Sequence, residues 1–305
     1  MEDLHVGRWR STQQLLAATG RNWTMRTARS QVLAASAVAQ DAIAAWLTEE
    51  PRNANAMMMR ARVLTQEVLT EHRHNPTAAL SEDFSLAREA CRTAAHLVAR
   101  DPVPWVCLLS LAQLDLDPRR SPFPEHWAHA HDPLLPAAPW GLLHEVERRD
   151  PGNREAYHRM LTVFHTRGYC AIDFAHVAAA KAHHGSPLLM LPLYAYAELY
   201  RQRLQNPRAD IFRFWLDHPV AAHTERALRS WFAWTQPRQN APLDLNHLAY
   251  ALVAGGHAHH AGAVFEAIGP YATPAPWQHL SNFPAQWQDE FKKARDYATR
   301  HPPHT

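Results

Sequence analysis

Glu49-Glu50-Pro51, Arg100-Asp101-Pro102 and Arg149-Asp150-Pro151 are the stretches on which the fold turns. In each, a proline behind charged residues closes one amphipathic segment, and another begins a few residues later. Proline has no amide to give a helix interior and pushes the residue before it out of the helical region, so each triplet marks a helix end. The three lie roughly 50 residues apart, and a regular interval of that size marks stacked helical units.

Composition points the same way. Of 305 residues, 47% are hydrophobic and 20% charged, enough to bury a large core. Only 10 are glycine, while alanine, leucine and arginine abound and β-branched residues are sparse, which favours helix over sheet. An all-α chain is expected. A net charge of +2 argues against the electrostatic footprint of a nucleic-acid binder. Lys181, Lys292 and Lys293 are the only lysines, a bias that fits a GC-rich, bacterial type of coding sequence. Cys91, Cys107 and Cys170 stand far apart in apolar surroundings and read as small buried hydrophobes in a reducing compartment. The N-terminus has no basic segment followed by an apolar one, and no apolar run reaches the roughly 18 residues that span a bilayer. A cytoplasmic protein without membrane contact is the expectation.

Apolar spacing and caps predict helices over residues 3–19, 22–47 as a pair, 54–70, 83–100, 104–116, 140–149, 153–167, 171–184, 187–204, 209–217, 223–235, 243–254, 257–268 and 284–300. Gly20 suits the turn after the first helix, Asn22 and Asn53 suit N-caps, and Pro192 marks a kink or a start. Between residues 117 and 139, six prolines forbid a long helix, leaving a loop or a short helix around Trp127. The expected organisation is N-terminal repeats over 1–116, a proline-rich irregular segment over 117–139 and C-terminal repeats over 140–305, all within one continuous domain as an alternative.

Aligned on their prolines, the junctions share a register. Ala39, Ala90 and Pro139 stand at one preceding position, Ile43, Ala94 and Leu143 at a second, and Trp46, Leu97 and Val146 at a third. Met57 and Ala61, Leu108 and Ala112, Tyr157 and Met160 form the stripe that follows. This arrangement resembles the tetratricopeptide repeat over about residues 38 to 165, with Arg60 and Leu161 departing from the family's usual residues and a spacing longer than its 34. Leu248 to Pro270, through Ala249, Gly255-Gly256 and Ala263 to Ile268, reads as one more hairpin. The resemblance implies an α-solenoid that binds a protein or peptide, with Asn55, Met58, Arg62, Leu109, Gln113, Glu155 and His158 on the concave side. Carboxylate recognition through lysines is disfavoured because lysines are so few, and arginine is the bidentate substitute.

Chemistry-bearing motifs are weaker. Glu71 to His74 and Glu155 to His158 match the Glu-x-x-His of di-iron bundles, a match expected by chance in a chain with 22 histidines. Arg148 stands where a His-Glu-x-x-His site begun at His144 needs its second histidine, and no glycine-rich phosphate loop or nucleophile elbow occurs. His257, His259 and His260 read as an exposed helix start, while His126, His129 and His131 read as solvated loop residues. Asp115-Leu116-Asp117 reads as a helix end. No metal and no cofactor are expected. Of 11 tryptophans, Trp105, Trp140 and Trp277 follow prolines and suit helix staples. Tyr194, Tyr196, Trp231 and Trp234 are the candidates for an aromatic groove. The leading expectation is a non-catalytic scaffold or adaptor. Its rival is a helical enzyme with an apolar, aromatic-lined cavity, metal-assisted through a histidine cluster.

Overall fold

A computed structural model describes residues 7–75, 82–281 and 283–300. The regular structure of the described residues is all helical and holds no strand, only an isolated bridge between Ala128 and Ala138. No helix among them is long and apolar enough to cross a membrane. The chain divides into two compact units, residues 1–171 and 172–305. The division falls after the proline-rich segment, which belongs wholly to the first unit.

Unit 1 contains α1 (Arg10–Thr19), α2 (Trp23–Ala37), α3 (Ala42–Glu49), α4 (Ala54–His74), α5 (Glu82–Leu97), α6 (Val103–Leu111), α7 (Trp140–Glu147) and α8 (Arg154–Arg167). Helix ends follow the local chemistry. Gly20 stops α1 at a φ of 56°, and the Asn22 side chain accepts from the Met25 amide to start α2. Ala39, at a φ of 59°, splits the 22–47 stretch into α2 and α3.

The prolines do mark junctions, and each junction caps the helix that follows. Asn53 accepts from the amides of Asn55 (2.9 Å) and Ala56 (3.1 Å) while donating to Glu50 (2.6 Å). Asn153 repeats this, accepting from Ala156 (3.0 Å) and donating to Asp150 (2.6 Å). The middle junction has no asparagine there, and Asp101 itself accepts from Val103 (2.9 Å).

Packing within unit 1 runs from α2, α4 and α6 to the next helix but one, and α2 also meets α6 and α8 directly. Helix α2 lies against α4, α4 against α6 and α6 against α8, while α5 fills the space beside α4 and α6, and α7 that beside α6 and α8. Trp46, Phe84, Met58, Met59, Leu109, Leu111, Met160 and Phe164 are buried between them. Full burial of a large apolar side chain contributes about 1.5–3 kcal/mol.

Residues 117–139 contain one short turn of helix, Pro124–Trp127. Their anchor is Asp115, whose carboxylate accepts from His126 Nδ1 (2.9 Å), Trp127 Nε1 (3.1 Å) and Ser121 Oγ. Arg167 lies over the Trp127 ring at 3.5 Å and donates to the His126 carbonyl. His126 is only 1% exposed, correcting the expectation of a solvated loop residue: a buried carboxylate has drawn the imidazole inside.

Unit 2 contains α9 (Ala171–Lys181, its first residue closing unit 1), α10 (Leu191–Leu204), α11 (His218–Arg226), α12 (Pro242–Ala254), α13 (Ala258–Ile268), α14 (Trp277–Leu280) and α15 (Trp287–Arg300). Pro192 lies in the first turn of α10, so it is a helix start. Helices α12 and α13 form the hairpin expected around Gly255-Gly256, where a Cβ on Gly255 would meet the Ala251 carbonyl at 2.9 Å. The helix expected over 209–217 is instead a turn, with Arg213 at a φ of 65° and helical geometry only in Phe214–Leu216. Trp215, Tyr250, Trp277, Phe265 and Phe291 pack edge to face or tilted in the core of this unit.

Candidate functional site

The first turns of α2 carry Thr24, Arg26 and Thr27, and all three reach junctions far away in sequence. Arg26 donates to Asp101 (2.8 Å) and to Asn55 (2.7 Å). Thr24 donates to Asp150 (3.3 Å), and Asn153 donates to Thr27 (3.2 Å). Arg149 ties the third junction to the second through the Ala99 carbonyl (2.7 Å). One helix thereby touches all three junction regions.

Deeper along the same layer, Arg62 of α4 meets Glu155 of α8, residues 93 apart in sequence. Arg62 Nη1 donates to Glu155 Oε1 at 2.9 Å and Nη2 to Oε2; Nη1 also reaches Cys107 Sγ (3.8 Å) and Nη2 the Thr27 carbonyl (3.1 Å). Arg159, one turn beyond Glu155, adds two bonds to Oε1 at 3.1 and 3.3 Å. Arg62 and Glu155 are about 4% and 7% exposed at their side chains, and Arg62 Nε has no partner among the described residues. Burial favours the neutral acid, but the charges of Arg62 and Arg159 overcome it and hold Glu155 below the usual carboxylate range. Burial likewise works against the Arg62 cation, and Glu155 outweighs it, so the guanidinium holds its proton more tightly than usual.

Past Arg159 this face opens. The C-terminal half of α4, the turn after α6 and the second half of α8 enclose a pocket of about 460 Å³. Gln66, Leu69, His72 and Arg73 line it from α4, Gln113, Leu114 and Leu116 from the turn, and Arg159, Thr162 and Thr166 from α8. The helix face is therefore closed by its own polar contacts at one end and open at the other.

Five of the seven residues assigned to a concave side from the register lie in or beside this layer. Asn55, Arg62 and Glu155 form its hydrogen bonds, Gln113 lines the pocket, and His158 is half-buried on α8. Met58 and Leu109 are core residues, 2% and 0% exposed, and offer no surface to a ligand; Arg62 and Glu155, 4% and 6% exposed and bonded to each other, offer none either, because each charge is buried against its partner. The register missed Arg26, Asp101, Arg73 and Arg159. Arg159 was findable, since it follows Glu155 by four on one helix.

The four aromatic candidates do not share a groove within unit 2. Tyr194 donates to Asp244 (2.5 Å) and stacks on His247 at 3.8 Å. Tyr196 is buried, bonded to His176 (2.8 Å), whose ring stacks on His223 at 4.3 Å. Trp231 is 2% exposed in the core, whereas Trp234 is 65% exposed and meets His184 edge-on. Among the described residues no three His, Cys, Asp or Glu side chains converge as metal ligands. Glu155, half of one Glu-x-x-His match, spends both oxygens on arginine.

No family model, no curated protein and no solved structure matches the chain.

Proposed function

We propose that the chain is a non-catalytic, cytoplasmic protein- or peptide-binding scaffold built from tetratricopeptide-like hairpins, with the groove between α4, the turn after α6 and α8 as its docking site. The observation that carries this reading is the pocket itself, assembled from three non-adjacent segments that recur at the proline interval. The contacts of α2 with α4, α4 with α6 and α6 with α8 support the repeat reading, as does the acid-asparagine cap shared by the first and third junctions. An open groove lined by both polar and apolar side chains of successive helices suits an extended segment of a partner, because side chains from separate repeats can each address a different residue of it.

A displayed peptide library panned on the full chain tests this. The parent chain should retain sequences that a Thr162→Trp variant, its groove filled, does not. Equal retention by both, or none by either, refutes the docking site.

A further inference from the structure

We infer that Cys91 and Cys107 form a redox-sensitive dithiol in the core of unit 1, which hydrogen peroxide oxidises to a disulfide joining α5 to α6. The placement of the two sulfurs carries the inference. Helices α4, α5 and α6 pack on one another in all three pairings. One turn of α4 addresses both thiols: Thr65 Oγ1 lies 3.5 Å from Cys91 Sγ and the Ala61 carbonyl 4.0 Å from it, while Arg62 Nη1 lies 3.8 Å from Cys107 Sγ. Brought to the same turn by the helices that carry them, Cys91 and Cys107 also hydrogen-bond to each other. Both are free thiols, and both are 0% exposed.

Their surroundings make the two unequal. Burial opposes a thiolate at either sulfur. At Cys107 the hydrogen bond from Cys91 and the charge of Arg62 outweigh burial and hold the thiol below its usual range, whereas burial and the neighbouring Cys107 push Cys91 well above it. Cys107 is therefore the attacking sulfur and Cys91 the resolving one. The Cys107 thiolate attacks one peroxide oxygen, so that an S–O bond forms, the O–O bond breaks and the departing hydroxide takes the Cys91 proton to become water. The Cys91 thiolate then attacks the sulfenic sulfur of Cys107, forming S–S and releasing hydroxide, which recovers as water the proton that Cys107 had given up. Two thiols lose two electrons to the peroxide, and two waters result. The bond closes the chain between residues 91 and 107 and so restricts the unfolded state. Burial selects the oxidant, because local opening of a packed helix admits a neutral molecule little larger than water before it admits a bulky one.

The test exposes the folded, full-length Cys170→Ser chain to hydrogen peroxide, removes the oxidant with catalase, blocks remaining thiols with iodoacetamide in urea and maps the cysteines by tryptic mass spectrometry. Cleavage after arginine places Cys91 in residues 89–92 and Cys107 in residues 101–119. The two peptides should appear linked, about 2 Da lighter than their sum, and dithiothreitol should separate them. Arg62→Met with Glu155→Met removes the charge beside Cys107 without stranding its partner, and should slow linking about 10-fold near pH 7, with recovery towards about pH 9. Two alkylated cysteines after peroxide, a Cys107 oxidised to the sulfinic acid beside an alkylated Cys91, or a linking rate unmoved by the double substitution would overturn the dithiol.

Discussion

Replacing Glu155 with Gln keeps the side chain's size and removes the only carboxylate paired with Arg62 among the described residues. The guanidinium stays buried at about 4% exposure, its Nε already without a partner, and two of its bonds become weak or lost. Breaking a buried ion pair from one side costs about 3–5 kcal/mol, because the remaining charge is neither solvated nor neutralised. Arg159→Gln perturbs the same carboxylate far less: Arg62 still holds it, and Arg159 is one-fifth exposed, so the loss should be about 1 kcal/mol. Arg62→Met with Glu155→Met removes both buried charges together and should return the chain to within about 2 kcal/mol of the parent. Urea titrations followed by far-UV circular dichroism give each difference from the midpoint and slope. A loss under about 1 kcal/mol for Glu155→Gln, or equal losses for Glu155→Gln and Arg159→Gln, would refute the reasoning that Arg62 is a buried charge dependent on Glu155.

Two other expectations follow from the titratable groups. Burial raises the Asp115 pKa, but hydrogen bonds from His126, Ser121 and Trp127 prevail and lower it, so Asp115→Asn should loosen residues 117–139 by about 1–3 kcal/mol and speed their cleavage in limited proteolysis; an unchanged cleavage rate would contradict this. His223 is pushed down to about 4 by burial, by His176 and by Arg226, from an ordinary value of 6.5. The unfolded chain therefore takes up this proton first, so the stabilisation is complete above about 6.5 and fades as pH falls towards about 4. His223→Phe should flatten the stability profile across that window, and a profile identical to the parent's would count against the assignment.

The parts of this structure legible in the sequence are those settled by neighbours along the chain. Gly20, Asn22, Asn53 and the three junction prolines act on amides within a few residues, so their roles could be read directly. The apolar stripes likewise identified Ile43, Trp46, Ala94 and Val146 as buried, but Leu97, in register with Trp46 and Val146, is 51% exposed, and Ala39 is exposed too. What packs on a given face is a different matter. The register assigns Arg62 to a concave side, yet its partner lies 93 residues on, and no local pattern announces that this face of α4 will be filled by a buried ion pair. Residues 209–217 have helical composition, but Asp210 turns its side chain onto the Phe212 amide (2.9 Å) and Arg213 adopts a left-handed conformation, two local choices that defeat a helix. For the aromatic candidates, residue type signals a large apolar surface without saying whether it faces a core, as Trp231 does, or solvent, as Trp234 does.

The contacts of Thr24, Arg26 and Thr27 fix how many helices can lie between the first and third junctions. An open stack can gain or lose a unit with little penalty, because each unit answers only to its neighbours. Here α2 reaches Asn55, Asp101, Asp150 and Asn153 at once, the last two about 126 residues away. A hairpin duplicated or deleted between Pro51 and Pro151 would carry the third junction out of that reach and strand Asp150 and Asn153. Unit 1 should therefore vary through its loops, while the number of helices between Pro51 and Pro151 stays constant.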